Sequence, residues 1–264
     1  MAMPIRVLLV DDEPDLADMA ALFLERERDA LETDAVTGPD DALARLKADD
    51  FDCVVSDYDM PTMNGLELLD SVRDDHPELP FVLFTGKGSE EIASEAISAG
   101  VSGYLQKESG TDQYTVLANV VANAVEKYRA ECALHESERR FEAVFDDPFS
   151  FIGLLETNGT VIAVNQTALD AVDERAAVVE GKPFWETPWW SFSADVQAEL
   201  RDKIDEAADD EFVRFRTRNW TKKLGCLALD VIIRPVHGES DAVETLIVEG
   251  RSVENHDGWS EALR

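Results

Sequence analysis

FDCVVSDYDMP, at residues 51–61, runs five largely apolar residues, Phe51 to Val55, into Ser56 and Asp57 and then into the turn Tyr58-Asp59-Met60-Pro61. A short apolar run bounded by turn residues reads as a buried strand. A strand that ends in a carboxylate and a loop places that carboxylate at the mouth of a parallel sheet, where open α/β folds bind their ligands. Asp57 is a reactive group if other charged groups converge on it, and an ordinary loop aspartate if they do not.

Outward from that strand, residues 1–110 alternate strands and helices. Ile5 to Val10 is a continuous apolar strand that ends in Asp11-Asp12-Glu13. Pro14 fits the first turn of a helix, with Leu16, Met19, Ala20, Phe23 and Leu24 as its inner stripe. Residues 30–36 read as a strand, and Gly38-Pro39-Asp40 opens a helix with Ala42, Leu43 and Leu46 inward. Asn64-Gly65 opens the helix after the central strand. Pro80 to Phe84 is a strand ending in Thr85-Gly86, residues 89–98 form a helix with Ile92, Ala96 and Ile97 on one face, and Val101 to Leu105 is a last strand before Gln106-Lys107. Five strands with helices between them predict a doubly wound, five-stranded parallel sheet, because each right-handed crossover must cover a face.

In that architecture all strand C-termini open on one side, so Asp11, Asp12, Asp57, Thr85 and Lys107 converge. Carboxylates within contact distance repel one another unless a cation neutralises them. Mg²⁺ suits carboxylates that share it with a phosphoryl group. The expected ligands are Asp12, Asp57 and the backbone carbonyl of Asp59, with Asp11 acting through water. Asp57 is then a nucleophile, and Thr85 and Lys107 meet the charge on the transferred group. The alternative is an ion pair between Lys107 and a carboxylate, without catalysis.

The motifs LLVDDEPD, SDYDMPTMNG, FTGKG and GYLQK resemble those of the receiver domain of two-component response regulators, over residues 4 to about 125. The resemblance implies phosphoryl transfer from a cognate histidine kinase to Asp57, rearrangement at Thr85, and movement of Tyr104 between exposed and buried rotamers. Tyr104 also reads as an ordinary aromatic on an edge strand. Two positions depart from the family pattern. Glu108 follows the lysine where proline with a cis bond is usual, and a cis bond without proline costs about 2.5–4 kcal/mol, so a trans and more mobile loop is expected. Gly86 stands where a small alanine is common.

With 56 acidic and 24 basic residues the net charge is −32. The acids are spread along the chain, as in a hydrated shell that keeps a protein soluble at high salt. Such a surface argues against direct nucleic-acid binding, which needs concentrated positive charge. No apolar run reaches the roughly 20 residues that span a bilayer, so no membrane association and a cytoplasmic, halophilic setting are expected. Cys53, Cys132 and Cys226 lack metal-ligand spacing and predict no structural disulfide.

From Thr111 no glycine or proline occurs until Pro148. Val116, Leu117, Val120, Val121, Ala124, Val125 and Tyr128 give this helix an apolar face that Cys132 and His135 continue weakly. A long amphipathic helix of this kind pairs with a copy of itself or packs on its own domains. His135 reads as an exposed helix residue, since HESERRF resembles the lead-in to PAS domains and no kinase ATP-binding motif follows.

Phe141, Val144, Phe145 and Phe149 begin a second core. Phe151 to Glu156, the turn Asn158-Gly159 and Val161 to Asn165 form a hairpin. Helical segments at 167–177 and 194–208 follow, then strands at Glu211 to Thr217, Leu224 to Pro235 and Val243 to Val248. FEAVFDDPFSFIGLLETNGTVIAVNQTAL, GKPFWETPWW and LDVIIRPVHGESDAVETLIVEGRSV resemble a PAS domain, an α+β fold with a five-stranded antiparallel sheet. Asn165 is expected to brace the helical cap. Trp185, Trp189 and Trp190 line a pocket or close the core. No reactive cysteine of the flavin-binding type and no haem-ligand histidine stands out, so no tightly bound organic cofactor is expected, and His237 reads as exposed. Arg214, Arg216 and Arg218, with Lys222 and Lys223, bind an acidic partner or pair with nearby carboxylates.

The expected organisation is a receiver domain at 1–125, a helical connector at 126–140, a PAS domain at 141–250 and a tail at 251–264, resembling haloarchaeal receiver–PAS proteins. The expected role is phosphorylation-dependent signalling, as a homodimer through the connector or the PAS domain and not as an independent enzyme. The alternatives are a regulatory fragment of a larger hybrid histidine kinase, or a regulator that reaches transcription through a partner.

Overall fold

The computed structural model describes residues 3–86, 90–222, 225–238 and 240–253. Lys87 of the FTGKG motif, Lys223, Leu224 and residues 254–264 of the expected tail lie outside these. The chain divides into two compact units, Met1–Glu136 and Ser137–Arg264.

The first unit is the expected doubly wound sheet. Strands β1 (Ile5–Val10), β2 (Leu31–Val36), β3 (Cys53–Ser56), β4 (Phe81–Thr85) and β5 (Gly103–Gln106) alternate with helices α1 (Pro14–Glu27), α2 (Pro39–Ala48), α3 (Gly65–Asp75) and α4 (Glu90–Ser98), and α5 (Asp112–Phe145) follows. The sheet order is β2-β1-β3-β4-β5, and all four pairings are parallel. This is the flavodoxin-like order, whose switch point lies between β1 and β3. Both faces are covered, so Val7, Leu8, Val54, Val82 and Leu83 are buried whichever way they point.

On α5, Leu117, Val121 and Val125 are fully buried against one face of the sheet. Burial of each such side chain contributes about 1.5–3 kcal/mol. Val116, expected on that face, is exposed, and Ala118 and Ala122 take the inner positions instead. Met19 and Ile97 are likewise exposed. Each adjoins a small or medium residue that faces inward (Ala20, Ala96), and one step along a helix turns the next side chain outward.

Two strands are shorter at their N-terminal ends than expected. The central strand begins at Cys53; the Asp52 carboxylate just before it accepts from the backbone N–H of Arg6 and from the Arg129 guanidinium, both at distances under 3 Å. Strand β5 begins at Gly103, after the Ser102 hydroxyl accepts from the Phe81 N–H. Cys53 is fully buried, and burial pushes its thiol pKa up. All three cysteines are free.

The second unit is an antiparallel sheet of five strands: β6 (Phe151–Glu156), β7 (Val161–Val164), β8 (Val213–Thr221), β9 (Gly225–His237) and β10 (Val243–Ser252), in the order β7-β6-β10-β9-β8. Between β7 and β8 run α6 (Gln166–Val172), α7 (Ala176–Val179), a 3-10 turn at Phe184–Glu186 and α8 (Ala194–Ala208). The Asn158-Gly159 turn forms as expected. Gly159 has φ +82° and lies against the Trp185 ring, so that a Cβ would come within 2.5 Å of it. The Asn158 side chain accepts from the Thr160 N–H at 2.8 Å.

Phe141, Val144 and Phe149 do not join a second core as expected; they are 52%, 75% and 58% exposed. The core of this unit begins with β6, and its centre is Leu155, Leu200, Ile204, Leu229 and Ile233. Phe141 instead stacks on Phe145 one turn along the same helix, with ring centroids 5.0 Å apart.

Asn165 is fully buried and braces its surroundings through four hydrogen bonds. Its Oδ1 accepts from the N–H groups of Ile152 and Ala168, and its Nδ2 donates to the carbonyls of Ser150 and Asp147. On β8, Arg214, Arg216 and Arg218 are exposed and alternate with buried Val213, Thr217 and Asn219. Arg214 pairs with Asp230 and Lys222 with Asp173, the carboxylate pairing that the sequence allowed.

The loop after β3 depends on one close approach. At Gly65 a Cβ would collide with the carbonyl oxygen of Asp57 and come within 2.7 Å of the Leu83 side chain. Gly65→Ala is therefore expected to destabilise the first unit by about 1–3 kcal/mol and to displace the backbone at Asp57. Urea unfolding of the two forms, followed by circular dichroism, reads this out.

Candidate functional site

The site is assembled from three strand ends. Asp57 directly follows β3, and its N–H donates to the Val10 carbonyl at 2.8 Å. Asp11 directly follows β1, with its N–H on Val36. Lys107 directly follows β5, with its N–H on the carbonyl of Thr85 at 2.8 Å. Parallel pairing thus brings residues far apart in sequence to one edge, at the switch point of the sheet.

There the Lys107 ammonium donates to Asp11 Oδ2 at 2.6 Å and to Asp57 Oδ1 at 2.7 Å. Each remaining carboxylate oxygen is held by backbone. Asp57 Oδ2 accepts from the Asp59 N–H at 2.7 Å, and Asp11 Oδ1 accepts from the Glu13 N–H at 3.0 Å. Burial by itself lowers the pKa of the Lys107 ammonium. The hydrogen bonds and negative charges of Asp11 and Asp57 outweigh that effect, and the net pKa lies above the ordinary lysine value. Lys107 is thus a fixed cation at neutral pH.

Of the expected site residues, the structure brings together Asp11, Asp57 and Lys107 by direct contact. Thr85 is fully buried at the end of β4 and is joined to Lys107 through the backbone. Tyr104 lies on β5 opposite Leu83, half-buried against the core on the α3 side of the sheet. Asp12 is half-buried beside Asp11 and makes no hydrogen bond or ion pair among the described residues. Asp59 contributes its N–H to Asp57.

The ion pair that the sequence allowed as a purely structural arrangement is therefore present. Among the described residues, no three acidic, histidine or cysteine side chains group closely enough to hold a metal ion. The donors available at this edge are nevertheless all hard oxygens, the set that suits Mg²⁺ rather than a soft metal.

Three supporting features escaped the sequence reading. The Asn64 side chain accepts from the N–H groups of Leu66 and Glu67, while Glu67 accepts from the Asn64 N–H, a complete capping box at the start of α3. The spacing Asn64-x-x-Glu67 is its sequence signal. Tyr114 is buried beside the site, stacked on Phe23 with centroids 4.9 Å apart and edge-on to Phe84. Gln113 clamps the loop after Lys107: its Oε1 accepts from the Glu108 N–H, and its Nε2 donates to the carbonyls of Glu108 and Gly110.

The described residues contain no cis peptide bond. The Lys107–Glu108 bond is thus trans, as expected, but Gln113 gives its loop the three hydrogen bonds that a mobile loop would lack. A lone glutamine two residues into a helix carries no sequence signal for that clamp.

The arrangement presents a carboxylate at a strand end, a fixed cation against it, and a buried hydroxyl-bearing residue on the neighbouring strand. Such a set can deliver an oxygen nucleophile and take up negative charge on an incoming group. Comparison with known proteins agrees in this region. Residues 7–119 match the model of the response regulator receiver domain.

These residues are a receiver domain. The chain is similar to the sensor histidine kinase TmoS of Ectopseudomonas mendocina, with 33% identity over 130 residues, or 48% of this chain and 13% of TmoS. It is also similar to the chemotaxis protein CheY-3 of Vibrio cholerae, with 44% identity over 68 residues, or 25% of this chain and 52% of CheY-3. The matched stretch thus spans about an eighth to a half of these curated relatives. Among solved structures, the PAS domain of an HTR-like protein from Haloarcula marismortui aligns with a TM-score of 0.40 and 21% identity, over 47% of this chain and 98% of that one. Among the described residues, no helix of the receiver domain or of the second unit is long and apolar enough to cross a membrane.

The Gln113 clamp makes a direct prediction. In Gln113→Ala the Glu108 amide loses its acceptor, so its hydrogen exchange speeds up roughly tenfold for each 1.4 kcal/mol of protection lost. The amides of β1 keep their wild-type rates. Exchange read by NMR on both forms checks this.

Proposed function

We propose that the chain is a phosphorylation-dependent signalling protein whose receiver domain takes a phosphoryl group on Asp57. The observation that carries the reading is the Lys107 ammonium, held within 2.7 Å of both Asp11 and Asp57 at the switch point of a parallel sheet. An Asp57 carboxylate oxygen attacks phosphorus, the phosphorus–nitrogen bond of a phosphohistidine on the cognate histidine kinase breaks, and the imidazole leaves with the bonding pair. Lys107 turns from the carboxylates to the new phosphoryl oxygens, and Thr85 offers them its hydroxyl. Asp12, Asp57 and the Asp59 carbonyl would hold Mg²⁺, with Asp11 bound to it through water, and the ion supplies the positive charge that offsets the phosphoryl oxygens.

Thr85 and Tyr104 serve as the switch in this reading. They lie on adjacent strands, Tyr104 opposite Leu83 and two residues back from the Thr85 end, so a shift at Thr85 alters the packing of the half-buried Tyr104 ring. The output passes to residues 141–250, read as a PAS domain from their motifs and from an antiparallel sheet of order β7-β6-β10-β9-β8.

A second copy of the chain is the partner that fits the connector. Leu134, Phe141 and Val144 are exposed on α5 at spacings of seven and three, the a/d pattern of a coiled-coil seam. The acidic surface fits a high-salt cytoplasm. The similarity to TmoS favours one further reading, in which the same chemistry serves as a regulatory segment of a larger histidine kinase.

Incubation with acetyl phosphate and Mg²⁺, followed by intact mass spectrometry, tests the core claim. The wild type is expected to gain one phosphoryl group and Asp57→Asn none. An equal gain on both, or none on either, refutes it. Light scattering of Phe141→Glu is expected to give half the wild-type mass, and an unchanged mass removes the seam from the account.

A further inference from the structure

Residues 214–222 read Arg-Phe-Arg-Thr-Arg-Asn-Trp-Thr-Lys, with a cationic or indole side chain at every second position. A period of two puts such residues on one face of a strand. On β8 the alternation is realised: Arg214, Arg216, Arg218 and Trp220 are exposed, while Val213, Thr217 and Asn219 are buried. Strand β8 is the last of its sheet and, among the described residues, pairs with β9 alone. Its other side is an edge.

The backbone of this edge is open where the arginines stand. The Trp220 N–H donates to the Trp189 carbonyl at 2.9 Å, so it points away from β9. In an antiparallel pair the backbone groups of every second residue point the same way. Those of Arg214, Arg216 and Arg218 therefore point away from β9 as well. Among the described residues, no neighbouring segment makes a backbone hydrogen bond to these three. The carbonyls of Trp189 and Ala171 occupy the edge only further along, at Trp220 and Lys222.

Charge decides what the edge admits. Arg214 is paired with Asp230, but Arg216 and Arg218 make no side-chain hydrogen bond or ion pair among the described residues. In a chain of net charge −32 the row is a local reversal of sign. A second copy of β8 would set arginine against arginine, and like charges directly opposite are destabilising. Charged edges guard against edge-to-edge pairing. Here the guard has one sign and admits a strand of the other. A nucleic-acid backbone fits less well, because the edge presents carbonyl oxygens as well as N–H groups and phosphate oxygens bring no donor to them. A peptide strand brings both donors and acceptors.

We propose that the β8 edge at Arg214, Arg216 and Arg218 takes up an extended acidic peptide of a partner protein as an added antiparallel strand, with Asp or Glu at every second position opposite the arginines. The peptide backbone supplies the hydrogen bonds, and its alternate side chains supply the specificity. Trp220, 41% exposed on the same face, anchors one end; arginine and tryptophan are the residue types that dominate interface energies. The proposal rests on the second unit alone and is independent of phosphoryl transfer.

The test uses the full chain and a fluorescein-labelled, end-blocked peptide of alternating glutamate and threonine, with binding read by fluorescence anisotropy at low salt. Saturable binding is expected, with slowed hydrogen exchange at the amides of Arg214, Arg216 and Arg218 read by NMR. An antiparallel strand meets the arginines with its glutamate N–H groups. Methylating the glutamate nitrogens is therefore expected to weaken binding about tenfold or more relative to methylating the threonine nitrogens. Arg216→Glu combined with Arg218→Glu is expected to weaken it by at least about tenfold. No binding, equal binding of the two methylated peptides, or undiminished binding by the double variant overturns the proposal. Tighter binding of a single-stranded oligothymidylate overturns it too and makes the row a nucleic-acid site. If the double variant does not fold, the two methylated peptides decide.

Discussion

The Lys107 ammonium, shared between Asp11 and Asp57, is the interaction on which the first unit turns. Two buried carboxylates at the ends of adjacent strands repel each other, and an uncompensated buried charge is costly. The sheet can bring β1 and β3 together at their charged ends only because a cation from β5 reaches across β4 to meet them. Backbone N–H groups of Glu13 and Asp59 occupy the other two oxygens. The carboxylates are therefore oriented before any ligand arrives, which is the preorganisation that group transfer exploits.

The same constraint explains the unusual loop after β5. Lys107 must be held in place without a proline behind it, and Gln113 does this from the first turn of α5 by holding the backbone at Glu108 and Gly110. Gly65 performs the corresponding task after β3, where any side chain would collide with the Asp57 carbonyl. Reactive end, clamped loop and tight turn form one mechanical unit. Thr85 joins it through its carbonyl, bonded to the Lys107 N–H.

Much of this was legible in the chain. The alternation of apolar runs and amphipathic stretches specified all five parallel strands, and strand-end positions singled out Asp11, Asp12, Asp57, Thr85 and Lys107, of which Asp11, Asp57 and Lys107 are in direct contact. In the second unit local chemistry made the Asn158-Gly159 turn readable, and the expected bracing by Asn165 is present, made chiefly through Asp147, Ser150 and Ile152. Tertiary contacts beyond these were not legible. Gln113 and Tyr114 matter through loop and ring packing that leaves no periodic trace. Phe141, Val144 and Phe149 misled because apolar character alone does not place a side chain in a core, and all three are exposed. The tryptophans admitted two readings, pocket lining and core closure, and Trp189 and Trp190 do both.

The claim that everything else serves is that Asp57, rather than Asp11, Asp12 or Asp59, carries the phosphoryl group. Borohydride reduction converts an aspartyl phosphate to homoserine, so peptide mapping of the phosphorylated and reduced chain identifies the residue. The account predicts homoserine at position 57 and at no other aspartate. Homoserine at Asp11, Asp12 or Asp59, or unmodified aspartate throughout, contradicts it.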